Sequence, residues 1–177
     1  MSAIIRFYRH GETEWNKEGR LQGWQDSALT NEGKLRAAEV SWEPDVVFCS
    51  DLQRARETAK LMFPSSEMIE CAALREINLG HWQGQYIKDL QRDADYRCYV
   101  QSPEAFQPTT QETFEQVTER MLHFFKELEQ YPSKKIAVVS HGVAIACLTC
   151  ALQSKPLSQL WQHMLPGCGW ISFLRNT

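Results

Sequence analysis

Three short apolar runs constrain this chain most. Residues 4–8, 46–49 and 136–139 are each four or five residues long, β-branched or aromatic, and nearly continuous rather than alternating. Strands buried on both faces of a parallel sheet read this way, because neither face has to meet water. Helical patterns lie between them. Thr30 is placed to cap a helix over residues 31–40, with Leu35, Ala38 and Val40 on its buried side. A second helix is expected over 53–62. A third runs over 111–129, with Thr109 and Glu112 as its capping box and Phe114, Val117, Met121, Phe124, Phe125 and Leu128 as its apolar stripe. Residues 142–152 read as a buried helix and 169–174 as a last strand. Strands that alternate with helices imply an α/β fold with a mostly parallel sheet. The stretch from 79 to about 110 breaks the rhythm. It is polar, carries Trp82, Tyr86, Tyr96 and Tyr99, and is expected to form a partly helical excursion over one end of the sheet.

The residues just past each run give the chain its chemistry. The first run ends in Arg9-His10-Gly11, the second in Ser50-Asp51-Leu52-Gln53-Arg54, the third in Ser140-His141-Gly142. The carboxyl ends of parallel strands face one way, and ligands bind in the crevice there. Two histidines and two arginines from distant parts of the chain are therefore expected to meet. Together with helix N-termini they suit a doubly charged phosphate monoester. The arginine charges disfavour protonation of His10 and leave a neutral ring nitrogen able to attack phosphorus. Asn16 can add an amide donor.

Composition narrows the alternatives. A formal net charge of −3 and a pI near 6.0 do not fit a general nucleic-acid binder. No stretch approaches the ~18 apolar residues of a membrane span, and residues 4–8 are too short for a signal peptide, so a cytoplasmic protein without membrane partners is expected. Cys147 and Cys150 have CxxC spacing but sit in an apolar segment with no second pair. Core thiols are the expectation there, and no metal site. At 177 residues the chain fits one domain over 1–177.

The residues from Arg9 through Asn16 resemble the opening motif of the histidine phosphatase superfamily, the phosphoglycerate-mutase-like family, branch 1. The similarity continues through Gly19 to Trp24 and Asp26 to Gly33. It resumes at Ser50 to Ala55 with Thr58-Ala59, at Leu74-Arg75-Glu76, at Gly80 to Gly84, and at Val138 to Gly142. The resemblance implies a three-layer sandwich around a mostly parallel sheet. It implies His10 as nucleophile, with Arg9, Asn16, Arg54 and His141 binding the phosphoryl group. Glu76 becomes the proton donor and later the base for water, while Gln22 and Gly23 line the pocket mouth. No metal or organic cofactor is implied, and the partner is a small-molecule phosphate ester.

Gln83 replaces a Glu common in the family, and the stretch 109–113 lacks the usual glycine pair before Glu112. Both departures fall in the variable half of the site and leave the phosphoryl chemistry intact. Leu160-Trp161 and the run from Gly167 to Ser172 are similar to α-ribazole phosphatases of cobalamin assembly. A cofactor-dependent phosphoglycerate mutase is the first alternative. Arg92 and Arg97 are not adjacent, however, and His141 follows Glu76 by only 65 positions. A protein phosphohistidine phosphatase, which usually lacks much of an excursion, and a degenerate binding module are the others. His81 and Trp82 are candidates for leaving-group contact. Arg56, two positions past Arg54, and His123 and His163 on presumed helices are expected to stand outside the site.

Overall fold

A computed structural model describes residues 3–175. Five strands form one sheet: β1 (Ala3–Arg9), β2 (Val46–Cys49), β3 (Met68–Glu70), β4 (Lys135–Ser140) and β5 (Trp170–Arg175), in the order β3-β2-β4-β1-β5. β1, β2, β3 and β4 run parallel, and β5 is antiparallel at the β1 edge. The helices are α1 (Glu14–Glu18), α2 (Asn31–Ala38), α3 (Gln53–Met62), α4 (Ile87–Leu90), α5 (Ala94–Gln101), α6 (Phe114–Leu128) and α7 (Gly142–Leu152).

β1, β2 and β4 read as continuous apolar runs because both faces of the sheet are covered there. Phe7, Phe48 and Val138 point into a core shared with α6 and α7. Their neighbours Tyr8, Cys49 and Val139 point into a second core shared with α2 and α3. That alternation builds the three layers. Among the described residues no helix is long and apolar enough to cross a membrane.

Three details depart from the sequence reading. First, α6 begins at Phe114. Its capping box is Thr113 with Gln116, not Thr109 with Glu112. The Glu112 carboxylate is held instead by Arg120 at 2.8 Å, and the Gln111 side chain accepts from the amides of Thr109 and Thr110. Second, α2 buries Gly33 and Ala37, while Leu35 is 63% exposed and Ala38 is exposed. The helix lies so close to the β1 loop that a Cβ on Gly33 would strike the Glu12 backbone, so only the small-residue face fits inward. Val40, past the helix end, packs partly buried against the second core. Third, β3 has only three residues, none fully buried, and so leaves no apolar run to find.

Between residues 80 and 105 the chain makes two 3₁₀ turns, Gly80–Trp82 and Pro103–Ala105, around α4 and α5. Trp82 is fully buried here, with the rings of Tyr96, Tyr99 and Phe106 between 5.4 and 5.7 Å from it. This cluster and the 3₁₀ segment Leu157–His163 wall one side of the crevice at the strand ends.

Candidate active site

Register brings the two histidines together. Arg9 pairs with Ser140, and the His10 amide donates to the Ser140 carbonyl at 3.0 Å. The rings of His10 and His141 then lie 5.2 Å apart, and both are shut off from solvent. On the other side of β4, the Ser50 amide continues the β2 ladder by donating to Val139, and α3 starts directly beyond it. Thr58 of α3 fixes the loop after β1: its hydroxyl accepts from the Gly11 amide at 2.9 Å and donates to the Arg54 carbonyl at 2.7 Å.

The state of His10 follows from its partners. Nδ1 lies 2.7 Å from the Gly11 carbonyl oxygen, which can only accept, so Nδ1 carries the proton. Nε2 faces Arg54 Nε–H at 3.3 Å, which can only donate, so Nε2 is a bare lone pair. Burial lowers the His10 pKa well below the ordinary value, and the charges of Arg54 and Arg9 lower it further, against a small opposing effect of the Gly11 carbonyl. The ring is neutral at pH 7, with its unprotonated Nε2 held against Arg54 where His10 lines the crevice.

Arg54 is itself 1% exposed, and four of its five N–H groups have protein partners, which leaves one NH2 hydrogen for a ligand. NH1 donates to Asp26 Oδ1 at 2.7 Å and the Gln25 carbonyl at 2.8 Å, and NH2 donates to the Gly23 carbonyl at 2.7 Å. The loop carrying Gln22 and Gly23 thus serves first as a mount for Arg54. Arg9 donates from NH1 to the Leu165 carbonyl at 2.6 Å, but its buried Nε has no partner. His141 binds the Ser50 hydroxyl through Nε2 at 2.8 Å, and its buried Nδ1 also has none. Burial first, then Arg54 and His10, push the His141 pKa well down. A side chain at Gly142 would press on the Arg9 guanidinium at 3.3 Å, so this glycine keeps the cup open.

Glu76 reaches the cup from the loop after the 3₁₀ turn Ala72–Leu74. Its carboxylate accepts from the amides of Val143 at 3.1 Å and Ala144 at 2.9 Å. It thereby caps α7, whose own N-cap residue, His141, makes no side-chain cap. The Asn16 Oδ1 is taken by the amide and hydroxyl of Thr13, which leaves the amide nitrogen as its free end. Gln22 accepts from Ser27 in the same manner.

A pocket of about 350 Å³ opens over this cup. Arg9, His10, Asn16, Gln22, Gly23, Arg54 and Glu76 all line it, and His141 lies against His10 just behind. His81 is exposed and bound to Thr110 at 2.6 Å, and Trp82 is core; neither lines the pocket. Arg56 pairs with Glu70 at 3.1 Å on the outer side of α3, and exposed His123 pairs with Glu127. Among the described residues no group of three or more His, Cys, Asp or Glu side chains could hold a metal ion. Asp26, Ser50, Glu112 and Arg120 support the site and do not stand out as supports in the sequence. The only signal for Asp26 is that a buried arginine requires a carboxylate, and spacing does not say which one.

The cup thus sets an unprotonated imidazole nitrogen beside buried polar nitrogens that have no protein partner. Residues 5–176 match the model for the histidine phosphatase superfamily (branch 1), and the chain belongs to that family. It is 32% identical over 175 residues to phosphoserine phosphatase 1 of Hydrogenobacter thermophilus, covering 93% of this chain and 82% of the relative. Among solved structures, YhfR of Bacillus stearothermophilus superposes with a TM-score of 0.90 at 30% identity, over 96% of this chain and 90% of that one. The α-ribazole phosphatase of Shigella flexneri gives 0.84 at 26% identity, over 96% and 89%.

Proposed function

We propose that the protein is a phosphohydrolase that removes phosphate from a small phosphomonoester through a phosphohistidine on His10. One observation carries the reading: the buried Nε of Arg9 and Nδ1 of His141 have no protein partner beside the unprotonated Nε2 of His10. Leaving a buried guanidinium N–H unsatisfied is costly, and an oxygen of a bound phosphoryl group would satisfy it; His141 Nδ1 donates to the same group in the tautomer whose Nε2 accepts from the Ser50 hydroxyl. The His10 Nε2 lone pair attacks phosphorus as the ester P–O bond breaks, and Glu76 passes its proton to the departing oxygen. Arg9, Arg54, Asn16 and His141 hold the equatorial oxygens. Water then attacks phosphorus as the P–N bond breaks, with Glu76 taking its proton, so phosphate leaves and neutral His10 returns.

Hydrolysis is favoured over mutase chemistry by the outer pocket. Its wall is largely apolar, with Leu21, Ile87, Tyr96, Tyr99, Val100 and Trp161. Beyond the phosphate residues its basic side chain is Arg20, which is stacked on Trp15 at 4.1 Å and donates to the Gly84 carbonyl. Arg97 turns to the carbonyls of Gln91 and Arg92, away from the pocket. An apolar, aromatic wall suits an alcohol bearing a flat aromatic base, and α-ribazole 5′-phosphate, in cobalamin assembly, is the substrate this favours. The likeness to the Shigella enzyme points the same way. Six free cysteines suit work in the reducing cytoplasm.

The test is release of inorganic phosphate from a panel of α-ribazole 5′-phosphate, nucleotides, sugar phosphates, phosphoserine and 3-phosphoglycerate. Hydrolysis, with the highest kcat/KM for α-ribazole 5′-phosphate, is expected. Phosphoryl exchange between phosphoglycerates without phosphate release would overturn the hydrolase reading.

A further inference from the structure

Glu76 sits in a segment without regular structure, yet its backbone is held from both sides. Arg120, on α6, donates from NH1 to the carbonyls of Ala73 at 2.7 Å and Arg75 at 2.6 Å, and from NH2 to that of Glu76 at 3.0 Å. Its Nε and NH2 reach Glu112 at 2.8 and 3.0 Å. These bonds use all five N–H groups of a guanidinium. Glu112 completes the frame: its carboxylate accepts from the Asn78 amide at 3.0 Å, and its own amide donates to the Asn78 carbonyl at 2.9 Å. The Glu76 carbonyl takes a second donor, the Trp24 indole, at 2.8 Å. Both Arg120 and Glu112 are largely buried, so their pairing is poorly screened.

We propose that Arg120 and Glu112 are positioning residues for proton transfer, clamping the segment 73–78 so that the Glu76 carboxyl meets the leaving oxygen. This rests on the reading of Glu76 as proton donor. A fold needs the loop only to be somewhere; an acid needs its carboxyl within tenths of an ångström of the leaving oxygen. The clamp supplies that restraint from the Glu76 backbone, while the α7 amides orient the carboxyl end.

Leaving-group dependence is a readout that a merely structural role would not move. In Arg120→Lys one ammonium replaces a five-donor fork, and in Glu112→Gln an amide NH₂ is turned against the guanidinium. Phosphoenzyme formation from a simple alkyl phosphate should slow by ~10- to 10²-fold, the scale for a misplaced catalytic group. Formation from p-nitrophenyl phosphate, whose leaving group needs little protonation, should change by less than about 3-fold. In a Glu76→Gln background, Arg120→Lys should add no further leaving-group-dependent loss. Equal slowing of both substrates, or wild-type rates on both in folded Arg120→Lys and Glu112→Gln, would overturn the clamp. Glu76→Gln alone tests the underlying reading: if it slows both substrates equally, Glu76 is not the acid, whatever Arg120 does.

Discussion

Replacing Asp26 by Asn should weaken the fold and make its stability depend more strongly on phosphate. The Asp26 carboxylate pairs with the buried Arg54 guanidinium at 2.7 Å and also accepts from the amides of Gln53 and Arg54. Those amides open α3, whose N-cap residue Leu52 supplies no side-chain cap. One distant carboxylate therefore caps a helix and neutralises the cation mounted on it. Breaking a fully buried ion pair costs roughly 3–5 kcal/mol. The Asp26 side chain is 24% exposed, and the Gly23 and Gln25 carbonyls would remain on Arg54. The loss in Asp26→Asn, which can still cap, should therefore be nearer ~1–2 kcal/mol, about a third of the fully buried value. Asp26→Ala should lose about 1 kcal/mol more, the worth of a cap.

Urea denaturation at pH 7.5 measures both variants. Inorganic phosphate provides the discriminating arm, because a dianion in the cup would supply the charge that Asp26 no longer does. Phosphate should raise the Asp26→Asn midpoint by more than it raises the wild-type midpoint, following the usual ligand linkage. A stability within about 0.5 kcal/mol of wild type, the ordinary scatter of surface changes, would refute the assignment of Asp26 as counter-charge to Arg54. So would an equal phosphate response in the two proteins.

Other outcomes rest on the same geometry. His10→Ala should abolish turnover and an acid-labile, alkali-stable phosphoenzyme, checked by trapping labelled phosphate; retained turnover would end the phosphohistidine mechanism. His10 and His141 are held neutral with lowered pKa values, so the unfolded chain takes up protons below pH ~6.5 that the folded chain refuses. Stability should therefore fall as pH drops from 6.5, by up to about 1.4 kcal/mol per pH unit for each histidine, levelling off below the folded values. Denaturation from pH 7.5 to 5 should show a shallower slope in His10→Asn. Gly142→Ala should fold, since the clash with Met164 meets only the end of a flexible side chain, but the Cβ pressing on Arg9 should lower kcat/KM in steady-state assays. Exhaustive chelation should leave the rate unchanged.

The features legible in the sequence are those that depend on strand ends. Arg9, His10, Arg54 and His141 announce themselves because each follows a buried run, and parallel register does the rest. Asp26, Glu112 and Arg120 lie in segments where spacing does not mark the true partner, and many of the atoms they bind are backbone atoms, which every residue possesses. Hydrogen bonding to carbonyls leaves no trace in residue type, so the clamp on Glu76 is visible only in three dimensions. The α6 boundary escapes the sequence for a related reason: Thr109 and Glu112 have the right spacing for a capping box, but Arg120 competes for the same carboxylate and gets it. The small face of α2 is misleading because apolar periodicity assumes that bulk points inward, whereas contact with the Glu12 backbone demands the reverse.

The two halves of the site are built by different means, and that bears on how a family keeps its chemistry while its members act on different esters. The phosphoryl cup hangs from strand ends and the first turns of α3 and α7, where sheet register fixes each atom. The outer wall comes mainly from the segment 79–105 and from Leu157–His163, where aromatic packing around Trp82 and Tyr99 sets shape, with Arg20 and Leu21 added from the loop after α1. Substitutions in the wall meet other side chains and can repack; substitutions in the cup meet backbone and buried charge and cannot. Glu76 stands at the seam, with its carboxyl on α7 and its neighbours Ile77 and Leu79 in the wall. A wall remodelled for a new alcohol therefore pulls on the residue proposed to protonate it. A backbone clamp anchored in α6, outside the wall, lets the wall change while the acid stays in place.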